Sequence, residues 1–192
     1  MQEARVLLEG GKLELTMTRL CHQLIENHGD FSNTCLVGIQ ERGVRFATRM
    51  HALLSKISGQ TIQYGKLDVT FYRDDFRMRP MPLDVSGTEM DFLVDQLKVV
   101  LIYDGLYTGR TIRSAMDALQ HYGRPEKVEL LVLIDRRFNR HLPILPNYTG
   151  LELDAVDEAY VKVEWKEIHG KDQTLIYPKK IRHVVNSTIL FV

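Results

Sequence analysis

An α/β fold, with a mostly parallel central sheet and helices on both faces, is the architecture this sequence predicts, and two observations carry the prediction. The runs Thr34–Ile39, Lys98–Ile102 and Val128–Ile134 are apolar almost throughout, the composition of strands covered on both faces. Between and before them lie stretches with apolar residues at three- and four-residue steps that close on glycine, the mark of helices packed along one side. Strands separated by helices need crossover connections, and in such sheets ligands sit beyond the carboxyl ends of the strands.

In order along the chain, Leu13, Met17, Leu20, Cys21, Leu24 and Ile25 share one face of a first helix that ends near Asn27, His28 and Gly29. Strand Thr34–Ile39 follows, then a tight turn over Gln40–Gly43. Ala47, Met50, Leu54 and Ile57 mark a second helix that stops at Ser58 and Gly59. Thr61 to Tyr72 is rich in β-branched and aromatic residues and reads as a strand. From Arg73 to Asp91 the periodicity fails, and a polar loop of that length inside a compact domain is as often a disordered excursion with no role as a functional lid. Strand Lys98–Ile102, a glycine-containing loop over Tyr103–Thr111, and a helix over Ile112–Tyr122 closed by Gly123 come next. Strand Val128–Ile134 leads into a basic loop, Asp135–His141, and Tyr160–Trp165 alternates as an edge strand does.

Composition bounds the function classes. The 192 residues are 44% hydrophobic and 26% charged, ordinary values for a chain with a packed core, and 25 basic residues balance 25 acidic ones. Any attraction to nucleic acid or membrane must therefore be local. Two cysteines, Cys21 and Cys35, fit a reducing compartment. The N-terminus lacks a signal-peptide layout and no run approaches the roughly 18 apolar residues of a membrane span, so a cytoplasmic protein without a membrane partner is expected. The histidines show no metal-ligand spacing, and the nucleophile elbow, Walker and dinucleotide motifs are missing.

The strongest local signal for chemistry is Val99–Thr111, an apolar strand that runs into Asp104 and then Thr108-Gly109-Arg110-Thr111 at a helix start. Unpaired N–H groups and the positive end of the helix dipole suit a phosphate there, with the hydroxyls of Thr108 and Thr111 as further donors. Asp104 is placed to accept hydrogen bonds from sugar hydroxyls. A threonine-capped helix start with no ligand is the alternative of equal weight on pattern alone.

With these residues in view the chain resembles the type I phosphoribosyltransferases, and within them the pyrimidine operon attenuation protein / uracil phosphoribosyltransferase branch. The likeness is carried by Leu36–Ile39 with Arg42 and Gly43, Phe71–Asp75, Asp104 with Leu106–Thr111, Met116–Leu119, Gly123–Pro125, and Asp135 and Arg136 with Leu142–Ile144. It runs from about Val6 to Val163, and Glu164–Val192 has no counterpart. The resemblance implies one type I phosphoribosyltransferase-like domain over 1–192, with 164–192 of unassigned role and a flexible hood loop over the site. It implies transfer of phosphoribosyl from phosphoribosyl pyrophosphate (PRPP) to uracil, with Mg²⁺ bound through PRPP rather than in a metal site of the protein's own, in a homo-oligomer.

By the same resemblance, residues 103–111 (Tyr103, Asp104, Gly105, Leu106, Tyr107, Thr108, Gly109, Arg110, Thr111) would hold the ribose and 5′-phosphate, with Asp104 as the catalytic residue. Glu41, Arg42 and Gly43 would meet the pyrophosphate. Arg136, Arg137 and Val161 would face the base or nucleotide, and Tyr72, Arg73, Asp74 and Asp75 would begin the hood. Three departures fall on these positions. Tyr103 stands where the family has the first of two acidic residues, which removes a charge and an acceptor from the ribose site. Glu41 stands where the family has Thr, placing a carboxylate beside an anion. The base loop is one residue longer, with Arg137 in place of Gly. These departures motivate a second expectation, a weakly active or inactive nucleotide-sensing regulator on the same fold. Some family members bind a leader RNA. Arg73, Arg77, Arg79, Arg136, Arg137 and Arg140 could contact phosphates, but the three carboxylates in Asp154–Glu158 would repel them, so RNA is the less favoured partner.

Overall fold

Apolar residues alternating between two buried faces build the main sheet. In the computed structural model, which describes residues 4–74, 87–154 and 159–177, five parallel strands lie in the order β3 (Gln63–Leu67), β2 (Thr34–Ile39), β4 (Lys98–Leu106), β5 (Lys127–Arg136) and β6 (Tyr148–Leu153). Leu36, Val100, Ile102, Leu131 and Leu133 pack with Leu13, Leu20 and Leu24 of α1 (Gly10–His28) and Phe46, Met50 and Leu54 of α2 (Arg42–Ser58). Their sequence neighbours Cys35, Val37, Val99, Leu101, Leu130 and Val132 pack with Ile112, Ala115 and Leu119 of α3 (Arg110–Leu119). Each successive strand residue thus meets a different helix layer, which is why the central strands show no polar alternation.

One charged side chain intrudes on the α1 side. The Glu129 carboxylate lies 2.9 Å from His28 Nε2 and 2.5 Å from Lys127 Nζ, and it accepts a 2.9 Å bond from the Tyr148 hydroxyl. Burial opposes its ionisation, but Lys127, Tyr148 and His28 outweigh that and hold its pKa below the usual carboxylate value. The network ties the last turn of α1 to the first residues of β5 and β6.

A second, antiparallel sheet, in the order β1 (Arg5–Glu9), β8 (Gln173–Tyr177), β7 (Tyr160–Glu164), lies against α2. Trp165 is buried and stacks on Phe46 of α2 with ring centroids 6.1 Å apart. Arg49 of α2 lies over the Trp165 ring at 4.6 Å and pairs at 2.8 Å with Glu167, in the short helix α4 (Lys166–His169), and at 2.9 Å with Asp172. Within the segment to which the sequence assigns no role, residues 165–177 therefore complete this sheet and anchor it. Arg49→Ala removes a cation–π contact and two ion pairs together, and should lower Tm by about 3–5 °C. Thermal unfolding followed by circular dichroism checks this; an unchanged Tm would make the cluster ornamental.

Several boundaries differ from expectation. The strand placed at Thr61–Tyr72 is only Gln63–Leu67, because Asp68 accepts from the Thr70 N–H at 2.7 Å and turns the chain into a 3₁₀ segment at Thr70–Tyr72. The helix placed at Ile112–Tyr122 runs over Arg110–Leu119 and then tightens to a 3₁₀ turn. Strand β4 continues past Ile102 to Leu106, since Gly105 and Leu106 still pair with Ile134 and Asp135 of β5. Strands β1, β6 and β8 went unread. Among the described residues no helix is long and apolar enough to cross a membrane.

Candidate active site

The extension of β4 delivers Asp104 on rigid backbone at the carboxyl end of the sheet. Asp104 is only 8% exposed. Burial pushes its pKa from 3.8 up to about 6, against the pull of Arg42 and of the Gly105 N–H. Tyr103 beside it is driven to about 12 by burial and by the Asp104 charge, opposed by Arg42, by a hydrogen bond with Thr111, and by Arg73.

Beyond Leu106 the chain forms a loop into α3, with Gly109 at φ 89° in the N-cap position. Only glycine adopts that backbone without strain, and the turn leaves the first N–H groups of α3 without helical partners. The Thr108 hydroxyl accepts from the Arg110 N–H at 3.4 Å. The loop is held from outside by the segment after β5: Arg140 donates to the Tyr107 carbonyl at 2.6 Å, and the His141 and Leu142 N–H groups both bond the Thr108 carbonyl. Within the basic run it is Arg140, with the backbone just after it, that braces this loop.

The junction of β2 and α2 carries Glu41, Arg42 and Gly43. Glu41 is exposed, at the N-cap position but without a side-chain cap bond. Partial desolvation opposes the charge of Arg42, but Tyr160, Asp104 and Tyr103 outweigh it and hold its pKa above the usual value. Gly43 is buried against β4. The structure thus brings 41–43 and 103–111 to one end of the sheet, across 60 positions of sequence.

Of the residues expected to begin the hood, Tyr72 ends the 3₁₀ turn, Arg73 donates to the Thr111 hydroxyl at 3.5 Å, and Asp74 pairs with Arg110. Asp75, Arg77 and Arg79 lie outside the described residues. Where the chain returns, the backbones of Glu89 and Lys66 bond each other at 2.8 and 2.9 Å, and the Gln40 side chain donates to the Gly87 carbonyl.

On the side expected to face a base, Arg136 is 7% exposed, lies over the Tyr107 ring at 3.9 Å, and its Nε and Nη2 have no hydrogen-bond partner among the described residues. Burial lowers its pKa, with Tyr107 acting against the shift. Arg137 is instead bound by carboxylates, at 2.7 Å to each oxygen of Asp154 and 2.9 Å to Glu152. Arg140 pairs with Asp135. The Val161 side chain packs on the core beneath the small sheet. Among the described residues no group of three or more His, Cys, Asp or Glu is placed to hold a metal ion.

Two features here were not readable in the sequence. One is the Asp135–Arg140 pair that braces the loop, whose only signal was the basic run itself. The other is Tyr160, whose hydroxyl meets Arg42 at 3.2 Å from a strand 118 positions away.

A parallel sheet with an acidic residue at a strand end, a glycine turn at a helix start and a second loop at the same end of the sheet is the arrangement expected of a type I phosphoribosyltransferase. The phosphoribosyl transferase domain model matches residues 5–168. The chain belongs to the phosphoribosyltransferase family, whose members are glycosyltransferase-type enzymes. It is 38% identical over 182 residues to the bifunctional protein PyrR of Bacillus cereus (strain AH820) and to that of Bacillus thuringiensis subsp. konkukian (strain 97-27), covering 93% of this chain and 100% of each relative. Solved structures of similar fold include a hypoxanthine phosphoribosyltransferase from Staphylococcus aureus, with a TM-score of 0.66 and 19% identity over 92% of this chain and 93% of that one. The hypoxanthine phosphoribosyltransferase of Trypanosoma cruzi superposes with a TM-score of 0.69 and 12% identity over 91% of this chain and 97% of that one.

Proposed function

We propose that this chain is a phosphoribosyltransferase of the pyrimidine operon regulator type, transferring phosphoribosyl from PRPP to uracil to give UMP and pyrophosphate. The observation that carries this reading is the buried Asp104 carboxylate set by β4 directly ahead of the Thr108–Thr111 loop, in a chain similar to PyrR along 93% of its length. In this reading the uracil nitrogen bonds to the ribose anomeric carbon, the bond from that carbon to pyrophosphate breaks, and the base gives up its proton. Asp104 accepts hydrogen bonds from the ribose hydroxyls, and the N–H groups at the start of α3 with the Thr108 and Thr111 hydroxyls take the 5′-phosphate. Arg42 and the Gly43 backbone meet the pyrophosphate, and Arg136, whose Nε and Nη2 have no partner among the described residues, faces the base or nucleotide. Arg137 contributes little, being bound by Asp154 and Glu152. Tyr72, Arg73 and Asp74 stand where a hood over the site would begin, its role being to exclude water.

Among the described residues no cluster of carboxylates is placed to cage a cation. That fits Mg²⁺ held chiefly by PRPP, where it would supply charge neutralisation for the departing pyrophosphate. A homo-oligomer is part of this reading. RNA remains the less favoured partner, because Arg137 and Arg140 are already neutralised by Asp154, Glu152 and Asp135.

Tyr103 and Glu41 favour a second reading, a nucleotide-sensing regulator with weak or no turnover. A half-buried phenol supplies neither the charge nor the paired acceptors of a carboxylate, and an exposed carboxylate at the pyrophosphate loop repels pyrophosphate. Pyrophosphate release from Mg²⁺-PRPP with uracil and a panel of other bases decides between them. Turnover with uracil is the expected result. Turnover with another base only would move the reaction to that base, and silence with UMP binding intact by calorimetry would establish the sensor.

A further inference from the structure

Arg42 is the cation of the β2–α2 loop, and a residue of the other sheet holds it. Its Nη2 donates to the Tyr160 hydroxyl at 3.2 Å, and its guanidinium carbon lies 5.9 Å from the Tyr160 ring centroid. Tyr160 opens β7, and its ring packs on Tyr177 of β8 at 6.2 Å. Burial opposes the Arg42 charge, while Tyr160, Asp104 and Tyr103 all favour it, so the guanidinium that Tyr160 holds also feels the strand end of the site.

The placement is not incidental to the fold. Arg42 and Arg49 are seven positions apart on α2, and so share one helix face. Arg49 fastens that face to the small sheet through Glu167, Asp172 and Trp165. Docking of the small sheet therefore fixes where the Tyr160 hydroxyl stands relative to the first residue of α2. A free arginine samples many rotamers, and ordering it when a ligand arrives weakens binding. With five N–H donors, Arg42 can keep its bond to Tyr160 and still present others to an anion.

We propose that Tyr160 is a positioning residue, which holds Arg42 preorganised for the pyrophosphate group. This rests on the reading of residues 41–43 as the pyrophosphate loop. The test is calorimetric titration of the full chain with inorganic pyrophosphate in the presence of Mg²⁺, using wild type, Tyr160→Phe, Arg42→Ala and the double variant, each checked for an unchanged circular dichroism spectrum. Tyr160→Phe keeps the ring and its contact with Tyr177 and removes only the hydroxyl. It should weaken pyrophosphate binding about fivefold, the loss of one hydrogen bond. Arg42→Ala should weaken it more than tenfold, and in that background Tyr160→Phe should add nothing. Equal losses from Tyr160→Phe in both backgrounds would make Tyr160 merely structural and overturn the proposal, as would no loss at all where Arg42→Ala is impaired. If Arg42→Ala binds pyrophosphate as well as wild type, or if wild type does not bind it, the loop reading itself falls and the proposal with it. The Arg42→Ala arm alone tells the two failures apart.

Discussion

Replacing Asp104 by Asn is expected to abolish phosphoribosyl transfer and at the same time to make the protein more stable at neutral pH. The carboxylate is 8% exposed, and its pKa is raised by burial from 3.8 to about 6. A carboxyl group whose folded pKa lies above its unfolded value favours folding only when protonated. Its stability contribution is complete below pH 4, falls as pH rises from about 4 to 6, and above pH 6 becomes a constant cost of about 3 kcal/mol. Asn keeps the shape and removes the charge. Urea unfolding should therefore show Asp104→Asn more stable than wild type by up to about 3 kcal/mol at pH 7.5, with the difference closing toward pH 4. Turnover should fall at least about a thousandfold, because an amide loses the charge-assisted acceptance of ribose hydroxyls. The wild-type dependence of kcat/KM on pH should rise through a group near 6. Unchanged turnover in the variant would end the assignment of Asp104 as the catalytic residue; unchanged stability would mean that the carboxylate is solvated.

That a site residue should be a folding liability also explains which parts of this molecule the sequence could reveal. Strands β2, β4 and β5 were legible because both of their faces are buried, so composition alone marks them. Strand β6 is half-buried, with Thr149, Gly150 and Glu152 among its six residues, and gives neither a run nor a clean alternation. Strands β1 and β8, neighbours in the small sheet, mix exposed, intermediate and buried residues with no clean alternation, and their pairing joins the two ends of the described chain. No local window holds that information.

The candidate site divides in the same way. Asp104 and Thr108–Thr111 are consecutive, so strand, acid and helix start appear together in the sequence. The bracing of that loop by Arg140, and the bond from Tyr160 to Arg42, connect residues 33 and 118 positions apart. The sequence also suggested a row of free arginines, whereas Arg137 and Arg140 are each committed to carboxylates. Charge counted along a chain overstates what a folded surface can offer to a polyanion.

Gly43→Ala should damage both fold and function, for a reason that lies wholly in how closely α2 approaches β4. A Cβ at position 43 would stand 2.8 Å from the Ile102 carbonyl oxygen, 2.8 Å from Cδ2 of Tyr103 and 3.1 Å from the Tyr103 Cα. Ile102 cannot retreat, because its strand is paired on both sides, with Gly38 of β2 and Leu131 of β5. The strain must then be relieved by lifting the start of α2, which carries Arg42 away from Asp104 and Tyr103. Overpacking of this kind costs about 1–3 kcal/mol. A displacement near 1 Å at a reacting group lowers rates by roughly a hundredfold. Gly11→Ala supplies the contrast: it lies in α1 with none of the described residues within 4 Å of its added methyl, and should be neutral or slightly stabilising. Urea midpoints of the two variants, read beside pyrophosphate affinity, test the argument. If Gly43→Ala is as stable as Gly11→Ala and binds pyrophosphate normally, the close packing of α2 on β4 does not set the position of the loop.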